Sequence, residues 1–420
     1  MRYKLPRGTQ DVLPAEQPNR RYVTQVAEHL AGLFGYRLIT TPIFEQAGLF
    51  LRSIGGGTDI LEKETYTFED RGNELLTLRA EGTAPICRAY LEHGMTTWPH
   101  PVRLFYSCPI FRYERPQAGR LRQHHQFGVE AIGEADPIID AEVIELGWLL
   151  VSKLGITNIN LLLNSIGCAE CRPNYLVALK SFYSQHLESV CSDCKSRYER
   201  NPLRLLDCKN NSFSCQQLIR TAPKTADYLC APCDNHQLVL TKQLDVLNIP
   251  YKITPTLVRG LDYYSRTVFE IQPANGGGQS TLLAGGRYDG LIEQLGGRPT
   301  PAIGFGSGIE RLILNLQLQQ VKVPDIEPID VIMISLDPAA QETALKLAAT
   351  LRSSGFSTVL APPTKSLRGQ MRYAESMNAG RALIIGKSEI SKGTVQIKIM
   401  NTGLQEEVIL ADVESKLNAN

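Results

Sequence analysis

Apolar residues recur at helical spacing from Pro14 to Phe34, with Tyr22, Val26, His29, Leu30 and Leu33 near one face, which predicts an amphipathic helix. From Gly35 to Glu45 the pattern becomes extended and is interrupted at Pro42, a residue tolerated mainly on sheet edges. Phe68 to Arg79 predicts a hairpin. It leads through Leu78-Arg79-Ala80-Glu81-Gly82-Thr83 into a helix reaching Tyr90. Val102 to Ile132 reads as strand, basic loop, strand. The loop from Glu114 to Arg122 holds three arginines, Pro116 and Gly119, and the returning strand His125-Gln126-Phe127-Gly128-Val129-Glu130 alternates polar and apolar side chains. In Ala302 to Leu314 a glycine-rich strand end runs into an apolar helix that presents Arg311 in its first turns.

The alternation breaks between Cys168 and Leu247. That stretch is helical and cysteine-rich, punctuated by Pro173, Pro202, Pro223 and Pro232, and fits an insertion between strands of the larger unit. Val321 to Pro328 makes a linker. Beyond it Asp330–Ser335 is a buried type of strand, Ala339–Ser353 a helix, Ser357–Leu360 a strand and Ser366–Asn378 a helix. Arg381–Gly386 and Thr394–Met400 complete a small α/β unit.

With 420 residues the chain is long enough for two or three domains, and 43% hydrophobic with 21% charged residues is ordinary for a globular protein. The formal net charge of +1 means that any nucleic-acid surface must come from local clustering. The N-terminus lacks an apolar signal core and no stretch approaches the ~20 apolar residues of a membrane span, so the cytoplasm is expected and no membrane partner. Of the ten cysteines, Cys87 and Cys108 stand apart while eight fall between Cys168 and Cys233. Three pairs have Cys-x-x-Cys spacing: Cys168/Cys171, Cys191/Cys194 and Cys230/Cys233, with Cys208 and Cys215 between the last two. Two such corners can make a tetrahedral thiolate zinc site, but the spacing does not force a pairing. Structural zinc and reduced thiols both remain open on sequence, and the metal ligands are unknown.

The densest chemistry lies in Leu257-Val258-Arg259-Gly260-Leu261-Asp262-Tyr263-Tyr264. It joins a permanent cation, a tight turn, a carboxylate and two phenols. Arg259 cannot deprotonate in a protein, so it suits a place where negative charge develops on phosphate. Adjacent tyrosines on a strand point to opposite faces, so at most one is expected to join Arg259 on a pocket wall. Gly285-Gly286-Arg287-Tyr288-Asp289-Gly290 carries the same flavour.

The strand-loop-strand around Arg112 and the Gly-x-Gly-x-Gly-x-x-Arg helix ending in Arg311 resemble motifs 2 and 3 of class II aminoacyl-tRNA synthetases. Leu257–Tyr264 and Gly285–Gly290 resemble the two signatures of the histidyl-tRNA synthetase family, and the helix and edge strand before Glu45 resemble the dimer-forming motif 1. The resemblance runs from Leu5-Pro6-Arg7-Gly8-Thr9-Gln10-Asp11 to the C-terminal unit. It implies an α+β fold with an antiparallel-sheet catalytic domain over residues 1–320, a helical Cys-rich insertion at about 168–247, a linker at 321–329 and an α/β anticodon-binding domain at 330–420. It also implies a homodimer that activates L-histidine with ATP and Mg2+ and transfers it to the 3′ end of tRNA(His). Relatives often lack the insertion's cysteines, so a metal there would not belong to the family's shared chemistry.

Residue by residue, the resemblance makes Arg112 and Arg259 catalytic, flanking the α-phosphate, and places Glu114, His124 and Arg311 with Arg112 around ATP. Glu81, Thr83 and Gln126 would take the histidine ammonium, Glu130 and Tyr264 the imidazole, with Tyr263, Tyr288 and Arg259 completing the pocket. Taken alone, Glu81 would be an ordinary helix N-terminal carboxylate and Glu130 a solvated strand position. Arg115, Gln117 and Arg120 would meet the acceptor end of the tRNA, and Lys365, Arg368, Arg372 and Lys392 could face its anticodon. At the place of His124 the family commonly stacks a phenylalanine on adenine. An imidazole there would make ATP affinity vary between about pH 6 and 8.

The competing reading is a non-catalytic, histidine-sensing regulatory paralogue that partners ATP phosphoribosyltransferase. Such relatives lose the Arg259-type signature and the anticodon module, and this chain keeps both. A pure RNA-binding module does not require three phosphate-side arginines. A dinucleotide site at Gly304-x-Gly-x-Gly lacks the acidic residue that closes a βαβ unit.

Overall fold

The computed structural model describes residues 3–54, 64–114, 120–210, 212–275, 281–324 and 328–419. Its contacts divide the chain into two compact units, Met1–Pro324 and Asp325–Asn420.

In the first unit, eight strands among the described residues form one sheet. Their spatial order is Arg37–Leu38, Val102–Phe111, Gln123–Ile132, Ala302–Gly308, Leu283–Arg287, Ser265–Pro273, Ile159–Ser165 and Tyr251–Ile253. The outermost pair at each edge is parallel and the pairs between them are antiparallel. The period of two then separates the faces. Along Gln123–Ile132, Phe127, Val129 and Ala131 point into a core shared with Val23, Ala27 and Leu30 of the helix Gln17–Leu33, with Val143 and Leu150 of the helix Pro137–Lys153, and with Leu312 and Leu316 of the helix Ile309–Leu318. Residues 124, 126, 128 and 130 face the other way. The expected hairpin is Thr67–Glu69 paired with Leu75–Leu78, joined by Phe44–Gln46 in a separate small sheet.

Helix ends follow local chemistry. Asp136 accepts from Ile138 N at 2.9 Å ahead of Pro137, combining an N-cap with proline at the first helical position. Such a cap is worth about 1 kcal/mol. The long helix it starts was not anticipated from the sequence, because Ile139, Val143, Ile144, Leu146 and Leu150 are buried around most of its circumference and blur the amphipathic period.

The inserted stretch is helical as expected, with Arg172–Ser184, Ser192–Arg200, Phe213–Thr221 and Ala231–Val246 as its α-helices among the described residues. Its last helix is woven into the main core: Leu240 and Leu244 join the apolar cluster beneath the sheet. On the same helix, the Nε2–H of buried His236 donates to Asp140 Oδ2 at 2.8 Å, and Thr267 Oγ1 donates to the same oxygen at 2.6 Å. Asp140 Oδ1 meets Arg287 Nη2 at 2.7 Å with both side chains fully enclosed. Arg287 therefore packs into a structural network and not into the cavity. Its Nη groups also donate to the Glu134 and Asp136 carbonyls and to Asp289.

The second unit is a five-stranded sheet ordered Thr358–Leu360, Ile329–Ser335, Ala379–Ile385, Thr394–Ile399 and Gln405–Ile409. Its first three strands are parallel and the rest antiparallel. The helices Pro338–Ser353 and Leu367–Ser376 cover it. The last strand escaped sequence reading, since Gln405, Glu406 and Glu407 make it polar on an exposed edge.

Asp140 joins two helices and two strands through buried, charge-assisted bonds. Asp140→Ala leaves Arg287 enclosed without its main counter-charge and should cost about 3–5 kcal/mol. Both tryptophans, Trp98 and Trp148, lie in the first unit, so denaturant unfolding followed by their fluorescence measures this loss.

Candidate active site

The exposed face of the sheet floors a cavity of about 440 Å3. His124, Gln126 and Glu130 rise from alternate positions of one strand, and the neighbouring strand offers glycine wherever they need room. Register pairs Gly304 with Glu130 and Gly306 with Gly128. A Cβ on Gly304 would collide with the Glu130 carboxylate and the Val129 carbonyl, and one on Gly306 with the Gln126 amide. The glycine-rich segment is thus a flat floor for polar side chains.

At the closed end, Glu130 is fully enclosed and accepts from Thr83 Oγ1 at 2.7 Å and from Tyr288 Oη at 2.6 Å. Burial raises its carboxyl, the two hydroxyl donors lower it, nearby Glu81 raises it again, and the balance is about 8. The notion of Glu130 as a solvated strand residue is therefore wrong: its strand lies in the middle of the sheet. Glu81 is a helix N-terminal carboxylate, accepting from the backbone N–H of Thr83 at 2.6 Å and Ala84 at 2.7 Å, and it lines the cavity as well. Burial pushes its carboxyl up against the pull of those bonds and of Arg112.

Leu257–Tyr264 forms irregular turns and not a strand, so the opposite-faces rule does not apply to its two tyrosines. Their ring centroids lie 4.8 Å apart, Tyr263 stands edge-on to Tyr288 at 5.7 Å, and all three rings line the cavity. Burial raises all three phenols, which keeps them protonated as donors.

At the open end are Arg112, Arg120, Arg259 and Arg311. Each is already held. Arg112 Nε donates to the Ala80 carbonyl at 2.7 Å, Arg120 meets Glu114 at 3.2 Å, Arg259 pairs with Glu270, and Arg311 Nη1 donates to the Thr281 carbonyl at 2.9 Å. Glu270 also accepts from Thr281 Oγ1 at 2.9 Å. The buried Nε of Arg259 has no acceptor among the described residues.

Of the residues singled out from sequence, Glu81, Thr83, Arg112, Glu114, Arg120, His124, Gln126, Arg259, Tyr263, Tyr264, Tyr288 and Arg311 line this one cavity, with Glu130 bonded to two of them just beneath. Arg115 and Gln117 lie outside the described residues. In the second unit Lys365 sits 5.8 Å from the Tyr373 ring and Lys392 is paired with Glu407 at 3.1 Å. Sequence reasoning missed Tyr106 and Glu270 on the sheet, Thr281 just ahead of the strand Leu283–Arg287, and Arg197, Arg204, Asp207 and Lys209 from the insertion. The sheet residues could have been found from strand alternation once the register was known. The insertion residues carry no local signal, because they reach the cavity only through tertiary packing.

The His124 ring sits mostly out of water, beside Arg112 and Arg311. Burial is the largest influence and the two arginines add to it, so its pKa falls to about 4 despite Glu310. This corrects the expectation of a titrating imidazole, because the ring stays neutral from pH 6 to 8. Nuclear magnetic resonance of ring-labelled histidine should show one resonance set that does not titrate in that window and is absent from His124→Phe. The Michaelis constant for ATP should follow parallel pH profiles in the two proteins.

The histidyl-tRNA synthetase family pattern matches residues 8–312, and the pattern of an anticodon binding domain matches residues 330–420. Among curated relatives, a histidine–tRNA ligase of Dehalococcoides mccartyi (strain ATCC BAA-2266 / KCTC 15142 / 195) is 54% identical over 97% of both chains. One of Caldanaerobacter subterraneus subsp. tengcongensis is 45% identical over 99% of both. The crystal structure of apo S. aureus histidyl-tRNA synthetase superposes with a TM-score of 0.83 at 36% identity, covering 99% of this chain and 100% of that one. With the cavity, its arginines and its buried carboxylates in place, the chain belongs to the histidyl-tRNA synthetase family.

Proposed function

We propose that this chain is a histidine–tRNA ligase. In the first step the carboxylate of L-histidine attacks the α-phosphorus of ATP, forming histidyl-adenylate as pyrophosphate leaves. In the second, a ribose hydroxyl at the 3′ end of tRNA(His) attacks the acyl carbon and AMP leaves. The observation that carries this reading is the joining, in one cavity, of a closed end built from buried carboxylates and phenols with an open end built from arginines.

The closed end takes histidine. Glu81, Thr83 and Gln126 receive the ammonium, while Glu130 and Tyr264 meet the imidazole and Tyr263 and Tyr288 wall it in. An amino acid without ring nitrogens would leave those enclosed groups unpaired, which is a strong ground for rejection. The open end takes ATP as its magnesium complex. Arg112 and Arg259 flank the α-phosphate, Arg311 and Glu114 hold the nucleotide, and His124 lies against adenine. Because these arginines are pinned before substrate arrives, little reorganisation accompanies the developing charge.

We assign residues 1–320 to catalysis and 330–420 to anticodon binding, with Arg115, Gln117 and Arg120 toward the acceptor end of the tRNA. Exposed Leu33, Leu38, Ile43 and Phe44 surround the edge strand of the large sheet and support a homodimer through that face. Among the described residues no helix is long and apolar enough to cross a membrane. A cytoplasmic setting would also keep the clustered cysteines reduced. A structural zinc in the insertion belongs to this reading and takes part in no step of the reaction. The regulatory-paralogue reading loses support from the paired Arg112 and Arg259, which a histidine sensor has no use for.

Pyrophosphate exchange into ATP, without tRNA and with each amino acid in turn, is expected with histidine alone. Arg259→Gln should slow it by about 10^2–10^3-fold. Histidine binding without any exchange in the wild type would make the chain a sensor. Glu130 is largely protonated at pH 7, and a bound ring N–H favours its ionised form, so binding should release a proton. Affinity for histidine should then rise about fivefold from pH 7 to 8. Calorimetry in buffers of different ionisation heat measures the release, and Glu130→Gln should abolish both effects.

A further inference from the structure

The eight clustered cysteines converge into two separate sets. Cys168, Cys171, Cys230 and Cys233 form one, and Cys191, Cys194, Cys208 and Cys215 the other, with all sulfurs of a set within 4.8 Å of one another. The Sγ–Sγ separations are 3.8 Å for Cys168–Cys171, 3.7 Å for Cys168–Cys230, 3.9 Å for Cys171–Cys233 and 3.7 Å for Cys191–Cys208. A tetrahedral ion with metal–sulfur bonds of about 2.3 Å requires sulfurs about 3.8 Å apart. A disulfide would bring a pair to about 2.05 Å. Thiols packed merely as small apolar groups have no reason to meet in fours, twice.

The surroundings suit metal-bound thiolates. Backbone N–H groups point at sulfur in both sets: Cys168 N to Cys171 Sγ at 3.3 Å, Cys191 N to Cys215 Sγ at 3.4 Å and Asn210 N to Cys208 Sγ at 3.4 Å. Cys171, Cys191 and Cys230 each occupy the N-cap position of a helix, while Cys194, Cys215 and Cys233 lie in first turns, so helix dipoles favour negative charge at both places. Next to Cys171, the Arg172 guanidinium adds a permanent cation to the first set.

Both sets are also tied to the irregular run Leu257–Tyr264. Arg172 Nη2 donates to the Tyr264 carbonyl at 2.5 Å and to the Gly167 carbonyl at 3.0 Å. From the second set, the helix begun by Cys191 and Cys194 ends at Asn201, whose Nδ2 donates to Asp262 Oδ1. Cys208 itself stands between Asp207 and Lys209, both on the cavity wall. Outside any ladder, the run needs such anchors.

We infer that the insertion is a two-zinc module: each four-cysteine set holds one Zn2+, and the two ions brace the Leu257–Tyr264 run from two sides. Zinc binds as four thiols lose their protons to solvent, with no change of oxidation state.

Native mass spectrometry of the full chain, expressed with zinc available and purified without chelator, should show two zinc ions per chain. Cys168→Ser/Cys171→Ser and Cys191→Ser/Cys194→Ser should each retain one. In both variants amide exchange across 257–264 should quicken about tenfold or more, while the strand Ser265–Pro273 keeps its protection. Zero or one zinc in the wild type, the visible absorption of iron, or disulfides in place of metal would each overturn the assignment, whether or not the variants fold. Equal loss of protection in the run and the strand, or none in either, would overturn the bracing. The metal count does not depend on the catalytic reading.

Discussion

A carboxylate enclosed in the middle of an antiparallel sheet is the constraint around which the first unit is arranged. Glu130 has no water to turn to, so each oxygen must find a donor, and Thr83 and Tyr288 supply them from segments distant in sequence. The oxygens also need space, and that is why the strand alongside carries Gly304 opposite them. Tyr288 in turn is placed by its neighbour Arg287, which is locked to Asp140 and through it to a helix of the insertion. A single buried carboxyl group thus links a helix N-terminus, three strands and the inserted segment.

The two ends of the cavity solve opposite electrostatic problems. At the closed end burial raises the carboxyl of Glu130 to about 8, leaving a group that a cationic or N–H-donating ligand can ionise. At the open end the charges are permanent guanidinium groups. These stay useful because carboxylates and carbonyls such as Glu114, Glu270 and Thr281 fix their directions without neutralising the site as a whole. His124 shows how strongly that field acts, since burial and two arginines hold it neutral where an exposed histidine would titrate.

The insertion is less an appendage than its composition suggests. Its last helix completes the core under the sheet, its middle turn lines the cavity, and its cysteines gather on helices tied to the irregular run Leu257–Tyr264.

Strand alternation around Gln126 and Glu130, the glycine-to-helix passage before Arg311, and the cation-bearing run at Arg259 were legible in the sequence, because each depends on neighbours a few positions away. The linker and the small α/β unit beyond it followed from local composition and periodicity, whereas the α+β class came from the family resemblance. The sequence could not say that Leu257–Tyr264 turns instead of extending, since the hydrogen bonds that hold it come from Arg172, Asn201 and Asn164, all far along the chain. Nor could spacing pair Cys168 with Cys230 or bring Asp207 beside Arg259. Burial, and with it the protonation of His124 and Glu130, belongs to the assembled structure alone, because it is a property of what surrounds a side chain and not of what precedes it.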